Sequence, residues 1–203
     1  MEASRSDEKG ECHGTKTQYP RYSSLESSET LSRREKMAKE PKQLEDLFHN
    51  ALKDTYFAEK KILSTLPKLA RAAQRRELKA AFEKHRGETE GHLERLERVF
   101  AMIDKKAQGK TCPAINGLAE EGAEIIEEFK GSPAIDAGLI GAAQAVEHYE
   151  ISRYGTLRAW AEELGLREAV SLLQKTLDEE EATDEALSEL AEGAINREAE
   201  AAE

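Results

Sequence analysis

Long apolar runs are missing from this chain of 203 residues, and so is any hydrophobic stretch behind Met1. The first absence excludes a membrane-spanning helix, which needs about 20 apolar residues in succession. The second gives no reason to expect a secretory leader. Cysteine is nearly absent: Cys12 and Cys112 stand far apart and form neither a disulfide framework nor a Cys-x-x-Cys motif. Such usage suits a reducing compartment, and a cytoplasmic location is expected. Aromatic residues make up 5 % of the chain and no segment alternates polar and apolar for long, which argues against sheets. No glycine-rich phosphate loop is present.

What the chain has in quantity is charge, at 35 %, carried with Ala and Leu in the manner of long amphipathic helices. The formal net charge is −11, and residues 1–45 hold nine basic and nine acidic side chains, so the whole excess lies downstream. That location disfavours nucleic acid as a partner, because phosphate contacts need a basic face. The all-α class is the expectation.

Residues 1–41 are Ser-rich and polar and cannot bury enough surface to offset ordering entropy, so they are expected to form a disordered tail. Met37 opens "MAKEPKQLEDLF", a natural start for a folded protein. From Lys42 the apolar residues recur at steps of three and four. They predict long helices over about 43–73, 76–104, 133–163 and 167–194, with a shorter one over about 114–129. Pro67 should kink or locally break the first. Two tightly joined helix pairs separated by a long connection describe a ferritin-like antiparallel four-helix bundle, the short extra helix lying in the crossover. The bundle is expected over residues 42–196, with 197–203 frayed.

Shifting the chain by 91 residues superposes the two helix pairs without a gap, giving 11 identities over positions 52–101. The matches include Glu59 with Glu150 and Glu88 with Glu179. These acids interrupt core stripes. The first helix's stripe 48, 52, 55, 59, 62, 66, 69 passes through Glu59, and the third long helix's 139, 143, 146, 150, 154, 157 passes through Glu150. The second long helix gathers His85, Glu88 and His92, and the fourth gathers Thr176, Glu179 or Glu180, and Thr183. Buried carboxylates are costly unless positive charge or protons meet them. Four helices aiming glutamates at one interior point, with one or two imidazoles, suit iron or manganese better than the usual structural zinc site. His85 and His92 are each balanced between ligand and satisfied core histidine. Tyr56, Tyr149 and Tyr154 read as core residues with a polar handle, and His148 as a surface residue.

The stretches "DTYFAEKKIL", "HRGETEGHLERLERVF", "AAQAVEHYEISRYGTLRAWAEELG" and "LDEEEATDEALSELA" carry a resemblance over residues 42–192. The chain resembles the YciE/YciF-like family of bacterial stress-response proteins, a branch of the ferritin-like, rubrerythrin-related superfamily. The resemblance implies a helical bundle, commonly a homodimer, with a dinuclear iron or manganese site and a role under stress. Carried over by position, Glu59 serves helix one and Glu88 bridges from helix two. Glu147 or Glu150 serves helix three, and Glu179 or Glu180 helix four. The superfamily's Glu-x-x-His would place histidines at 91 and 182, where Gly91 and Ala182 stand. His92 lies one residue late and is expected to reach the site only through a π-bulge, and on helix four only Thr183 or Asp184 is at hand.

The expected chemistry is reaction with oxygen or peroxide, of peroxidase, catalase or ferroxidase type. No rubredoxin-like cysteine pair is present, which favours dismutation or an external reductant. The alternative is a non-enzymatic stress-response dimer with a vestigial acidic core. Translation is expected to begin at Met37; the intact mass of the natural protein, short by residues 1–36, checks this, and a full-length mass overturns it.

Overall fold

The structure, a computed structural model, describes residues 41–201. Helix α1 spans Leu44–Ala72. Its start is fixed where the Gln43 backbone N–H donates to Asp46 Oδ2 at 3.0 Å, a first-turn carboxylate on an orphan donor. Pro67 does not break α1, which runs five residues beyond it. Helices α2 (Arg76–Met102), α3 (Pro113–Glu128), α4 (Ile135–Glu163) and α5 (Arg167–Leu190) follow. A π turn over Ala191–Ile195 leads into α6, Asn196–Ala201. The segment from 197, expected to fray, is therefore helical as far as Ala201, and Arg75 donates to Glu198 across it. The proposed tail and the Met37 start lie outside the described residues.

Local chemistry explains where the helices stop. Asp104 adopts a left-handed backbone at φ 53° and lets the Lys105 N–H reach the Phe100 carbonyl at 3.0 Å, closing α2. Gly165, at φ 71°, does the same for α4, with Leu166 N–H donating to Ala161 O at 2.9 Å. Pro113 opens α3 at a position whose N–H needs no partner.

Sequence neighbours α1 and α2 pack together, as do α4 and α5; α2 then packs on α5 and α1 on α4. This is the expected all-α, four-helix arrangement, with α3 in the crossover lying against α1 and α4. A Cβ at Gly138 would stand 2.8 Å from Ile125 Cγ2, so glycine there lets α3 and α4 approach.

Two apolar clusters make the core. One joins Ile62, Leu66 and Leu69 of α1 to Leu78 and Phe82, Leu139 and Ala143, and Leu187. The other joins Phe48 and Leu52 to Leu96 and Val99, Leu157 and Ala161, and Leu173. Along each of the four long helices one cluster gives way to the other near mid-length. Antiparallel pairing brings those four crossing points to one level, and the buried polar residues lie there.

One polar contact ties the halves together at the end of the bundle. Asp136, 4 % exposed in the first turn of α4, accepts from the N–H groups of Gln74 and Arg75, each at 2.7 Å. It thereby satisfies orphan donors at the start of α2. Asp136→Ala should lower unfolding free energy by about 1–3 kcal/mol, the cost of stranding buried donors. Urea unfolding checks this; an unchanged midpoint would show that water replaces the carboxylate.

Candidate metal centre

At the polar level the inward positions of α2 are His85, Thr89, His92 and Leu96, all buried. Those of α5 are Thr176, Glu180, Thr183 and Leu187. Helix α1 contributes Thr55 and Glu59, and α4 contributes Glu147, Glu150 and Tyr154. These residues recur at three- and four-residue steps because 3.6 residues complete a turn, so each helix offers one narrow inward line.

Two groups of ligand-type atoms result, each with its members within 4.8 Å of one another. His85, Glu147, Glu150 and Glu180 form one, and Glu59, His92 and Glu180 the other, with Glu180 common to both. His85 Nε2 lies 3.5 Å from Glu147 Oε1. His92 Nδ1 lies 3.1 Å from Glu180 Oε1 and 3.4 Å from Glu59 Oε1. Both oxygens of Glu150 and of Glu180 are buried without a hydrogen bond, as are Glu59 Oε2, Glu147 Oε2, His85 Nε2 and His92 Nδ1. So many stranded donor atoms around one point fit a cation in oxygen and imidazole ligation. These buried groups could hold metal ions.

The surroundings orient the ligand atoms. His92 Nε2 donates to Glu179 Oε2 at 3.1 Å, and Arg95 holds Glu179 from outside while its Nε donates to Thr176 Oγ1 at 2.8 Å. A proton on Nε2 leaves the Nδ1 lone pair facing Glu59 and Glu180, the support that metal-binding histidines ordinarily have. Around His85, Nδ1 lies 3.4 Å from Thr183 Oγ1 and 3.8 Å from Glu88 Oε2. The Tyr154 hydroxyl, fully buried, donates to Glu59 Oε1.

Electrostatics follow from burying this many acids together. Burial, with Glu59 and Glu180 adding to it, raises Glu150 well above the carboxylate range. Burial likewise raises Glu147 to about 8, although the His85 charge opposes it. For His85 burial works against the charged form, yet Glu147, Glu88 and Glu180 bring it up to about 9. For His92 burial again opposes, and Glu180 and Glu59 bring it up to about 10. Without metal the layer keeps its charge low by holding protons.

Of the residues expected from the sequence, Glu59, His92, Glu147, Glu150 and Glu180 are brought together. Glu88 and Glu179 stand one residue off the inward lines, about 100° around their helices. Glu88 is half-buried and paired with Lys84 at 2.5 Å, and the His85 ring draws it down to about 2 against the effect of burial. The shift of 91 residues nevertheless matched two acids that each lie by a histidine of α2: Glu88 Oε2 is 3.8 Å from His85 Nδ1, and Glu179 Oε2 is 3.1 Å from His92 Nε2.

The inward line of α2 passes through Thr89 where the sequence stripe ran through Glu88. That also corrects the expectation of a π-bulge behind His92: α2 is α-helical from Arg76 to Met102, and His92 reaches the centre undistorted. The bulge follows only from a register counted from Glu88, which is not an inward residue. The π turn lies instead at Ala191–Ile195. His85, balanced in the sequence between ligand and core histidine, belongs to one of the two groups; its signal is the spacing 85, 92, 96 on one line. Asp184 stays outside, half-buried, 3.2 Å from the exposed His148.

The raised values set a pH dependence. Glu147 binds more protons folded than unfolded between about 4.5 and 8, His85 between about 6.5 and 9, and His92 between about 6.5 and 10. Each contribution is whole below the unfolded value and is lost as pH rises through the folded one. Stability of the chelated, metal-free protein should therefore fall steadily from pH 5.5 to pH 9. Denaturant midpoints across that range check this, and a level or rising profile contradicts it.

Comparison with known proteins agrees with this architecture. Protein YciF of Escherichia coli (strain K12) is 47 % identical over 160 residues, covering 78 % of this chain and 96 % of that protein. The crystal structure of the E. coli stress protein YciF aligns at a TM-score of 0.74 with 46 % identity, over 77 % of this chain and 99 % of that one. YcfI from Rhodopseudomonas palustris aligns at 0.70 with 42 % identity, over 74 % and 96 %. A Xanthomonas campestris pv. campestris protein shares the fold at 0.64 with 23 % identity, over 78 % and 97 %. No helix among the described residues is long and apolar enough to cross a membrane. Residues 43–200 match the family described as "Domain of unknown function (DUF892)", and with YciF so near over most of its length, the chain belongs to that YciF-like family.

Proposed function

We propose that this protein is a dinuclear carboxylate metalloprotein acting on dioxygen or peroxide under stress. One observation carries the reading: Glu180, buried and with both oxygens unpartnered, belongs to two groups of ligand atoms at once. A carboxylate common to two ligand sets is what a pair of bridged cations needs. The proposed ligands are His85, Glu147, Glu150 and Glu180 for one position, and Glu59, His92 and Glu180 for the other.

Iron or manganese held there supplies electrons and Lewis acidity for an oxidant. The chain's own groups do the rest. Glu179 orients the His92 ring, the Tyr154 hydroxyl holds Glu59, and the apolar clusters above and below keep bulk water out. Electrons come from an external reductant or, where peroxide is the oxidant, from a second peroxide molecule oxidised to dioxygen. The role under stress is carried over from YciF, described as a stress protein.

Protein purified without a tag and reloaded anaerobically with ferrous iron should retain about two irons per chain. Glu180→Ala should retain fewer than about half as many, because both ligand sets lose a member. Loading should also raise the melting temperature of the wild type, and chelation reverse it. The opposite pattern is no retained metal together with a more stable Glu180→Ala, as expected on relieving an idle buried charge. That result would establish a non-catalytic stress-response bundle.

A further inference from the structure

An apolar cavity of about 30 Å³ opens between α1, α3 and α4, and a proposed metal ligand is among its lining residues. Ile62, Leu66 and Leu69 form one wall, Ile115 and Leu118 of α3 another, and Ala143 and Val146 a third. Glu147 also lines it, 3 % exposed, with Oε2 unpartnered. We propose that this cavity admits and holds dioxygen beside the centre, which makes dioxygen, rather than peroxide, the oxidant for which the protein is built. The inference rests on the metal reading above and narrows its substrate.

Size and polarity argue together. About 30 Å³ exceeds the roughly 10–15 Å³ that one water-sized molecule requires, so a diatomic molecule fits. Among the lining side chains only those of Lys61, Thr65 and Glu147 carry hydrogen-bonding groups. The Thr65 hydroxyl is already engaged, donating to the Lys61 carbonyl at 2.9 Å. Peroxide carries two O–H groups and would lose its hydrogen bonds to water on entering, whereas dioxygen has none to lose. An apolar lining offers water few hydrogen bonds, and apolar spaces take up gases such as xenon.

Small residues keep the space open. Gly122 and Ala119 on α3 face Ala142 and Ala143 on α4 across the lining. A Cβ at Gly122 would meet Ala142 Cβ at 3.8 Å and Leu69 Cδ2 at 3.9 Å, ordinary contacts that leave the fold undisturbed. A larger side chain there extends into the cavity. The crossover helix, which contributes no ligand atom to either group, thus has a use: it roofs the way in.

Xenon is the probe for the cavity itself. Crystals of metal-free wild-type protein under xenon pressure should show xenon among Ile62, Leu66, Ile115 and Val146, and Gly122→Leu should abolish it. Absence of xenon from the wild type overturns the proposal. In ferrous-loaded protein, Gly122→Leu should slow oxidation by dioxygen about tenfold and leave oxidation by hydrogen peroxide unchanged, at unaltered iron content. Ala142→Val, which narrows the cavity from the opposite helix, and wild type under competing xenon should show the same selectivity. Equal slowing with both oxidants, or none with either, overturns it. Failure of the wild type to retain iron removes the destination and overturns the metal reading with it. Metal content alone distinguishes that outcome from a failure of the cavity.

Discussion

Glu59, Glu147, Glu150 and Glu180 share one level of the bundle, all within 3 % of complete burial, and this crowding governs the rest of the molecule. Burying one ion costs several kcal/mol even after relaxation. A domain of this size has only about 5–15 kcal/mol of net stability to lose. Four bare carboxylates therefore cannot persist, and the layer must be neutralised. Protons on Glu147 and Glu150 together with charged His85 and His92 do so in the metal-free protein. On the reading proposed above, two divalent cations would supply the same four charges and leave both imidazoles neutral and free to ligate. On that reading one fold would accommodate two balanced states, differing by the exchange of metal for protons.

The scaffold serves that layer. Apolar clusters of similar make-up lie above and below it and hold the helices at a common spacing. At the rim the charges become ordinary: Glu179 meets Arg95 and Lys175, and Glu88 meets Lys84. These partly exposed pairs add little to stability. Their value is positional, since each acid stands beside a ring nitrogen of a buried histidine. The two halves related by the internal repeat have diverged at the centre. The first supplies one carboxylate and both imidazoles, the second three carboxylates and no imidazole.

Much of this was legible in the sequence because helical periodicity is a local signal. The long helices, the crossover helix and the antiparallel pairing follow from spacing and loop length, and the helix ends fall within a few residues of expectation. Less legible was which of two adjacent acids faces inward. Glu179 and Glu180 differ by one residue, and a stripe of mixed three- and four-residue steps passes as readily through either. Glu88 misled because it matches Glu179 in the repeat. The position equivalent to Glu180 is Thr89, which has no charge to attract notice. His85 was ambiguous for a related reason: a buried histidine reads alike as ligand or as packing until its neighbours on other helices are known. The cavity beside Glu147 could not be read at all, since it arises where three helices fail to fill the space between them.

Asp136 has a meaning for how the chain assembles. Helices α1 and α2 meet through a short turn, and so do α4 and α5, so each hairpin can form from contacts near in sequence. The bonds from Gln74 and Arg75 to Asp136 span about sixty residues and exist only once the crossover has carried α4 back to the first hairpin. They are the record of docking and not of helix formation. Those two amides should consequently share the slow exchange of the closed bundle, although they lie in a turn at its outer end.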